Sequence, residues 1–132
     1  MARKVITVDD SATVRLALKK PLMDDGYEVI EATDGTDAVR KLLDQDVDLM
    51  ITDLNMPKMD GIELIRQVRR DGKNRFLPII MLTTESQSEK KMEGRAAGAS
   101  GWITKPFTPH QLLSVVKMIC PATIPSRGAV IA

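Results

Sequence analysis

Short apolar runs alternate along the chain with longer segments of helical period. In those segments apolar residues recur every three or four positions, and this alternation is typical of βαβ units and a parallel sheet. The sequence therefore predicts an α/β fold, a doubly wound five-stranded parallel sheet with helices on both faces. The third and fourth apolar runs are almost unbroken and should form central strands covered on both faces. The five predicted strands cover residues 5–8, 27–31, 49–52, 79–82 and 101–103.

The signals that mark helix ends are strongest in the third and fifth predicted helices. Asp60 is a natural N-cap for a helix over residues 61–70. Thr108 followed by Pro109 suits the N-cap and first helical position of the last helix. The fourth helix, which ends near Ala97, should be marginal because it contains Gly94 and has few large apolar residues.

The first predicted helix, residues 11–26, contains a proline at position 21. Pro21 cannot donate a backbone hydrogen bond there, so we expect a kink. Spacing predicts a buried stripe on this helix and on the next one. The two stripes comprise Val14, Ala17, Leu18 and Leu22, then Ala38, Val39, Leu42 and Leu43.

A chain of 132 residues is long enough to bury one hydrophobic core and short for two. We expect one domain over residues 1–120. Residues 121–132 contain Pro121, Pro125 and Gly128 and show no periodicity, which indicates a C-terminal tail that is flexible or lies on the surface.

The charge balance gives no reason to expect nucleic acid as a partner. Lysine and arginine exceed aspartate and glutamate by one, and the basic residues form only short doublets. Cys120 is the only cysteine, so an internal disulfide is impossible and a reducing compartment fits. The N-terminal apolar run is too short for a signal peptide or a membrane span. We expect a cytoplasmic protein.

Charged residues follow three of the predicted strands, where each strand ends. Asp9 and Asp10 follow the first strand, Asp53 follows the third, and Lys105 follows the fifth. Because the carboxyl ends of parallel strands meet at one edge of a sheet, these side chains should converge. Three carboxylates and one ammonium cannot be buried dry and unpaired, so the cluster favours a cation, Mg²⁺, with phosphate as a further ligand.

Each of these residues also has a simpler interpretation when taken alone. Asp9 and Asp10 before Ser11 could be helix-capping acids, Asp53 a turn residue and Lys105 a surface lysine. Their joint occurrence at three strand ends favours a site. Asp53 is then the best nucleophile, because a carboxylate can attack phosphorus when a metal and a cation such as Lys105 shield the incoming charge.

Thr83 ends the fourth predicted strand and could donate its hydroxyl to a phosphoryl oxygen. His110, near the start of the last predicted helix, is more simply a solvated surface residue than a ligand.

The motifs at these positions closely resemble those of the receiver domains of two-component signalling, and among them the CheY-like stand-alone chemotaxis regulators. The resemblance runs from residue 4 to about 119. The motifs that carry it are Val8-Asp9-Asp10-Ser11, Asp53-Leu54-Asn55-Met56-Pro57, Met59-Asp60-Gly61, Thr83, and the stretch from Ala97 through Trp102 to Lys105-Pro106-Phe107.

The resemblance implies a flavodoxin-like, CheY-like fold and a role for each site residue. Asp53 would be the phosphoacceptor, and Asp9, Asp10, Asp53 and the backbone carbonyl of Asn55 would hold Mg²⁺. Lys105 and Thr83 would contact the phosphoryl group. Thr83 and Trp102 would form the switch, although the family usually has tyrosine where this chain has Trp102, whose indole can only donate.

By this resemblance the protein would not be an enzyme in the ordinary sense. It would accept phosphate from a histidine kinase and change its binding to a downstream target, with chemotaxis control of the flagellar motor switch as first choice. A phosphate sink or relay is the alternative, since no output domain follows residue 119.

Two other classes use similar folds. A Mg²⁺-dependent aspartyl-phosphate phosphatase would place an acid two residues after the nucleophile, where this chain has Asn55. A flavin or dinucleotide carrier would have glycines where this chain has Asp9 and Asp10, which would repel a phosphate.

Overall fold

Five parallel strands and five α-helices alternate along the part of the chain described by the computed structural model, residues 2–84 and 88–122. The strands are β1 Lys4–Val8, β2 Glu28–Ala32, β3 Leu49–Asp53, β4 Ile79–Thr83 and β5 Gly101–Thr104. The helices are α1 Ala12–Asp24, α2 Gly35–Asp44, α3 Gly61–Arg70, α4 Ser88–Ala97 and α5 Pro109–Ile119. A short 3₁₀ turn, Gly72–Asn74, follows α3.

The strands form one sheet in the order β2-β1-β3-β4-β5. All four neighbouring pairs are parallel, and their register aligns the carboxyl ends of the strands. Val8 lies beside Thr52, and Thr83 lies beside Thr104. The predicted α/β fold with its doubly wound parallel sheet is therefore confirmed, and the residues that follow β1, β3 and β5 share one edge.

Two separate apolar clusters lie on the two faces of the sheet. Helices α2 and α3 cover the first cluster, together with the last residues of α4, whereas α1 and α5 cover the second. Every residue of β3 and β4 is buried, as predicted for central strands. The side chains alternate between the faces, which places Met81 in the first cluster and Leu82 in the second.

Helix ends with capping side chains are where the sequence predicts. The Asp60 carboxylate accepts a hydrogen bond from the Glu63 amide at 2.8 Å, and α3 covers the predicted residues 61–70. Thr108 caps α5 and forms a reciprocal capping box with Gln111. Pro21 lies inside α1, which nevertheless continues to Asp24.

Two of the predicted stripe positions are wrong. Ala17 is exposed, and Leu43 is 66% exposed. In α1 the fully buried positions are Leu18 and Leu22, and Ala17 lies about 100° around the helix from Leu18. The same offset separates Leu43 from the buried Leu42 in α2. Each helix contacts the sheet along a narrower stripe than the apolar pattern indicates.

Helix α4 packs unusually close to the sheet at Gly94. A Cβ atom built on Gly94 would lie 2.0 Å from the Sδ atom of Met81, which is fully buried in β4. The glycine that weakens the helix in the sequence pattern is therefore what allows its close contact with the sheet.

Some segments of the chain lie outside the described residues. Residues 85–87, which directly precede α4 in the sequence, and residues 123–132 of the predicted tail are among them. The domain division at residue 120 stays a prediction. None of the helices in the described ranges combines the length and the apolar character needed to cross a bilayer.

Candidate phosphoryl and metal site

The predicted site residues follow neighbouring strands at one edge of the sheet. Asp9 comes directly after β1, Asp53 ends β3, Thr83 ends β4 and Lys105 comes directly after β5. The Asp9 amide still bonds the Ala32 carbonyl of β2 at 3.2 Å, so the sheet itself holds the start of this turn. Fold topology alone therefore explains why residues almost 100 positions apart in the sequence meet.

Asp9, Asp10 and Asp53 form a compact acidic cluster. One carboxylate oxygen from each lies within 4.8 Å of the others. Asp9 is 1% exposed and Asp53 is 5% exposed, whereas Asp10 is exposed. Like charges at this separation repel by roughly 3 to 4 kcal/mol per pair at an effective dielectric of about 20, so the cluster needs a counter-charge.

Lys105 supplies part of that counter-charge. Its Nζ atom lies 2.9 Å from Asp53 Oδ1 and 3.6 Å from Asp9 Oδ2. The lysine side chain is 25% exposed, so it reaches the cluster from the solvent side. One ammonium against three carboxylates leaves the cluster with a net negative charge, which attracts cations.

Asp9 is the most deeply buried of the three acids. Burial raises the pKa of its carboxyl, and the neighbouring Asp53 and Asp10 carboxylates raise it further, against the Ser11 amide and Lys105. Asp9 Oδ1 accepts the Ser11 amide at 2.8 Å, but Asp9 Oδ2 is buried with no hydrogen-bond partner among the described residues. Ser11, not Asp9 or Asp10, is the N-cap of α1, so the simpler capping interpretation of these acids is wrong.

The loop after β3 approaches the acidic cluster closely. A Cβ atom on Gly61 would lie 2.3 Å from the Asp53 carbonyl oxygen, so only glycine fits at the start of α3. The Gly61 amide also donates to the Leu54 carbonyl at 2.9 Å. Asn55, in the same loop, is exposed, and the metal-binding role of its carbonyl stays a prediction.

Thr83 presents a buried hydroxyl near this edge. It is 1% exposed, and its Oγ1 atom has no hydrogen-bond partner among the described residues. An unpaired buried hydroxyl costs free energy, which a ligand oxygen beside it would recover. The Thr83 carbonyl also accepts the Lys105 amide at 2.6 Å, which joins β4 to the lysine loop.

Trp102 lies on β5, beside Met81, and packs half-buried against the first apolar cluster. By alternation along the strands it belongs to the same face as Thr83. Two cations of α4 lie over its ring, Lys91 at 5.8 Å and Arg95 at 5.4 Å from the ring centroid. Cation–π contacts of this kind join the indole to the exposed surface of α4.

The family assignment follows from a comparison with known protein families. Residues 5–117 match the response regulator receiver domain family. The chain belongs to this family. The receiver domain match includes every predicted site residue, from Asp9 to Lys105.

Curated relatives of this receiver domain are chemotaxis proteins. It is 41% identical to the chemotaxis protein CheY1 of Helicobacter pylori over 118 residues, which cover 88% of this chain and 95% of the relative. It is 39% identical to the chemotaxis protein CheY of Pseudomonas aeruginosa over 117 residues, or 94% of that protein.

Solved structures give the same assignment for the fold. The receiver domain superposes on CheY4 of Vibrio cholerae with a TM-score of 0.86 and 44% identity, covering 90% of this chain and 99% of that one. It also superposes on the receiver domain of a sensor histidine kinase from Pseudomonas aeruginosa, with a TM-score of 0.82 and 26% identity over 90% of this chain and 98% of that one. That structure was solved with a magnesium ion coordinated in its active site cleft.

Two features of this site were missed in the sequence. The Lys105–Pro106 peptide bond is cis, which the residue types at these positions do not predict. Arg15 of α1 donates to the Asp9 carbonyl oxygen at 2.7 Å, and nothing in its spacing distinguishes it from other basic residues on the helix. Both features depend on tertiary packing, which no local pattern encodes.

Proposed function

We propose that this receiver domain is a phosphorylation-activated response regulator of chemotaxis. It accepts a phosphoryl group from a histidine kinase on Asp53, with Mg²⁺, and then changes its binding to a target protein. The observation that carries the proposal is the buried Asp53 carboxylate, 2.9 Å from Lys105 Nζ and clustered with Asp9 and Asp10.

The donor set fits Mg²⁺. Three carboxylate oxygens within 4.8 Å of one another are hard ligands, and Asp9 Oδ2 is a buried oxygen without a hydrogen-bond partner in the described ranges. Asp9, Asp10, Asp53 and the Asn55 carbonyl would hold the ion. When bound, the ion neutralises charge on the phosphoryl oxygens and on the carboxylates. The magnesium ion in the related receiver domain from Pseudomonas aeruginosa supports this assignment.

The proposed phosphoryl transfer to Asp53 is a single displacement at phosphorus. An Asp53 carboxylate oxygen forms a bond to phosphorus while the bond from phosphorus to the donor imidazole nitrogen breaks, and the imidazole keeps the electron pair and takes up a proton. Lys105 stabilises the charge that gathers on the phosphoryl oxygens. The Thr83 hydroxyl donates to one of those oxygens once the group is attached.

The switch depends on this last hydrogen bond. A dianionic phosphoryl group makes strong charge-assisted hydrogen bonds, and one such bond draws Thr83 toward Asp53. Trp102, on the same face, repacks as Thr83 moves. The surface of α4, β5 and α5 then changes its affinity for a partner, which is a population shift between two states.

The chemotaxis assignment is supported by the two curated relatives, which are both named as chemotaxis proteins. The target is then a protein of the flagellar motor switch, and the receiver domain acts in the cytoplasm as a binding module and not as an enzyme. Asn55 supports the last point, since an amide at the position where related phosphatases have an acid cannot shuttle protons.

The test is an intact-mass spectrum after incubation with acetyl phosphate, with and without Mg²⁺. The wild type should gain one phosphoryl group only when Mg²⁺ is present, and Asp53→Asn should gain none. Asp60→Asn is the matched control, because Asp60 is an exposed cap seven residues away that should not affect the reaction. Absence of an adduct on the wild type after rapid quenching, with Mg²⁺ present, would contradict the proposal.

A further inference from the structure

Arg15 connects α1 to the acidic turn and to the neighbouring strand. Its Nη1 atom donates to the Asp9 carbonyl oxygen at 2.7 Å, and its Nε atom donates to Glu31 Oε1 of β2 at 3.0 Å. The side chain is only 15% exposed. A planar guanidinium that bonds one acceptor in the turn and another on β2 is held in one orientation, and it holds both acceptors in return.

The bond to the Asp9 carbonyl fixes the direction of the turn. That carbonyl belongs to the peptide group between Asp9 and Asp10, and a peptide group is planar, so holding its oxygen fixes the plane from which Asp10 starts. The other bonds of the turn hold the peptide groups on either side of this one: the Asp9 amide bonds the Ala32 carbonyl at 3.2 Å, and the Ser11 amide, in the peptide group after Asp10, donates to Asp9 Oδ1 at 2.8 Å. Arg15 is the contact that holds the peptide group between the two acids.

Glu31 balances the charge of Arg15. Lys19 also donates to Glu31, at 3.3 Å from Oε2, so one carboxylate holds two cations of α1. Partial burial opposes ionisation of Glu31, but the hydrogen bonds from Arg15 and Lys19 outweigh it and lower its pKa. Glu31 is therefore ionised at neutral pH and pairs with Arg15. Arg15 does not act on the acidic cluster as an unpaired cation.

We infer that Arg15 is a positioning residue for the metal site: it orients the Asp9–Asp10 turn so that both carboxylates face one ion. The inference rests on the proposed function, because it takes the cluster of Asp9, Asp10 and Asp53 as the Mg²⁺ site. Residues that orient metal ligands through hydrogen bonds commonly change metal affinity by about 10- to 100-fold when they are removed.

Whether removal of Arg15 weakens or strengthens Mg²⁺ binding distinguishes a positioning role from a purely electrostatic one. Removing a cation close to a Mg²⁺ site should strengthen Mg²⁺ binding if charge is all that matters. Removing an orienting group should weaken it. Lys19 offers a matched control, since it carries the same charge and bonds the same Glu31 but has no bond to the Asp9 turn.

The experiment is isothermal titration of MgCl₂ into the wild type, Arg15→Gln and Lys19→Gln at low ionic strength. Arg15→Gln should weaken Mg²⁺ binding by about tenfold or more, and Lys19→Gln should leave it unchanged or slightly tighter. Affinity in Arg15→Gln equal to or tighter than that of the wild type overturns the inference. Equal weakening in both variants also overturns it, because the loss would then belong to Glu31.

Two further variants keep the test decisive. Asp10→Asn should abolish binding if the acidic cluster is the Mg²⁺ site, and a wild type that binds no Mg²⁺ would refute the proposed function and not the role of Arg15 alone. Urea unfolding checks the fold of each variant. If Arg15→Gln does not fold, Arg15→Lys replaces it: lysine keeps the charge but cannot donate from two fixed positions, so its Mg²⁺ affinity should still fall, and wild-type affinity would overturn the inference.

Discussion

Lys105 has two roles at the level of single residues. In the absence of a metal it is the cation that lies nearest to the buried Asp53 and Asp9, at 2.9 and 3.6 Å, among the contacts of the described residues. In the proposed reaction the same ammonium faces the phosphoryl group. A residue that stabilises the unphosphorylated site by charge must therefore share the carboxylates with the metal once it binds.

Replacing Lys105 with methionine separates these roles. The variant leaves two buried carboxylates without their ammonium, so the free energy of unfolding without metal should fall by about 2 kcal/mol, less than for a fully buried pair because Lys105 is 25% exposed. Mg²⁺ should stabilise the variant more than the wild type. Urea unfolding with and without Mg²⁺ measures both effects.

The control for this variant is Lys117→Met, which removes a half-exposed lysine that lies 3.4 Å from Asp25. Surface pairs of this kind contribute about 0 to 1 kcal/mol. A loss in Lys105→Met no larger than in Lys117→Met, or an equal response of wild type and variant to Mg²⁺, would count against the counter-charge role.

At the level of elements, α2 begins with an acidic pair that stabilises the helix start. Asp34 is the N-cap and accepts the Asp37 amide at 2.8 Å. The Asp37 carboxylate accepts the Thr33 amide at 3.0 Å and pairs with Arg40 and Lys41. Burial raises the Asp37 pKa, but these hydrogen bonds and ion pairs outweigh it and lower the pKa to about 2.

The lowered pKa predicts how the stability of the protein depends on pH. Asp37 binds its proton less readily in the folded state, so its contribution is complete above the unfolded pKa of 3.8 and is lost as the pH falls through about 2. Asp37→Asn should lower the free energy of unfolding by about 1 to 2 kcal/mol at pH 7. The difference from wild type should shrink between pH 4 and pH 2, as measured by urea unfolding across that range.

Asp44→Asn serves as the control, since Asp44 is an exposed residue at the other end of α2. It should change stability by no more than about 0.5 kcal/mol at any pH. A deficit in Asp37→Asn that stays constant down to pH 2 would show that the loss is steric and not electrostatic.

The accuracy of prediction from sequence also varies by element. For α3 the predicted and observed bounds agree, because Asp60 marks the start of the helix and its apolar positions match one face. The buried stripes predicted for α1 and α2 are wider than the observed ones, because the apolar pattern does not show how much of a helix contacts the sheet. Gly94 was interpreted as a weakness, and only the packing on Met81 shows why a glycine lies there.

The features of the site also differ in how well the sequence predicts them. The convergence of Asp9, Asp10, Asp53 and Lys105 follows from a parallel sheet alone, because the carboxyl ends of its strands share one edge, so the sequence predicts it. The contact of Arg15 with the Asp9 carbonyl and the cations over Trp102 depend on side-chain rotamers of residues on separate elements. Spacing within one element carries no information about such contacts.

At the scale of the whole molecule, Thr83 at the acidic edge and Trp102 beside α4 lie on the same face of the sheet. Trp102 is the only tryptophan, so fluorescence excited selectively at tryptophan reports its surroundings alone. Phosphorylation with acetyl phosphate and Mg²⁺ should change this fluorescence. Thr83→Val keeps the shape but removes the hydroxyl. Loss of a hydrogen bond to a charged group, about 1.5 to 3 kcal/mol, should lower the equilibrium constant for the switched state by about tenfold or more and so reduce the fluorescence change.

Thr7→Val is the control for this variant. Thr7 is likewise a buried strand residue whose hydroxyl has no hydrogen-bond partner in the described part of the chain, but it lies within β1 and not at the end of a strand. Its fluorescence response should match that of the wild type. A full response in phosphorylated Thr83→Val would show that Trp102 moves without Thr83, and no response in the phosphorylated wild type would favour a phosphate sink over a switch.

The central claim is that Asp53 itself carries the phosphoryl group. The most direct measurement is borohydride reduction of the protein after acetyl phosphate treatment, followed by peptide mass spectrometry, because reduction converts an aspartyl phosphate to homoserine and so marks its position. The account predicts homoserine at position 53, dependent on Mg²⁺ and absent in Asp53→Asn. Homoserine at Asp9 or Asp10, or a phosphoryl adduct that leaves no homoserine at all, would contradict it.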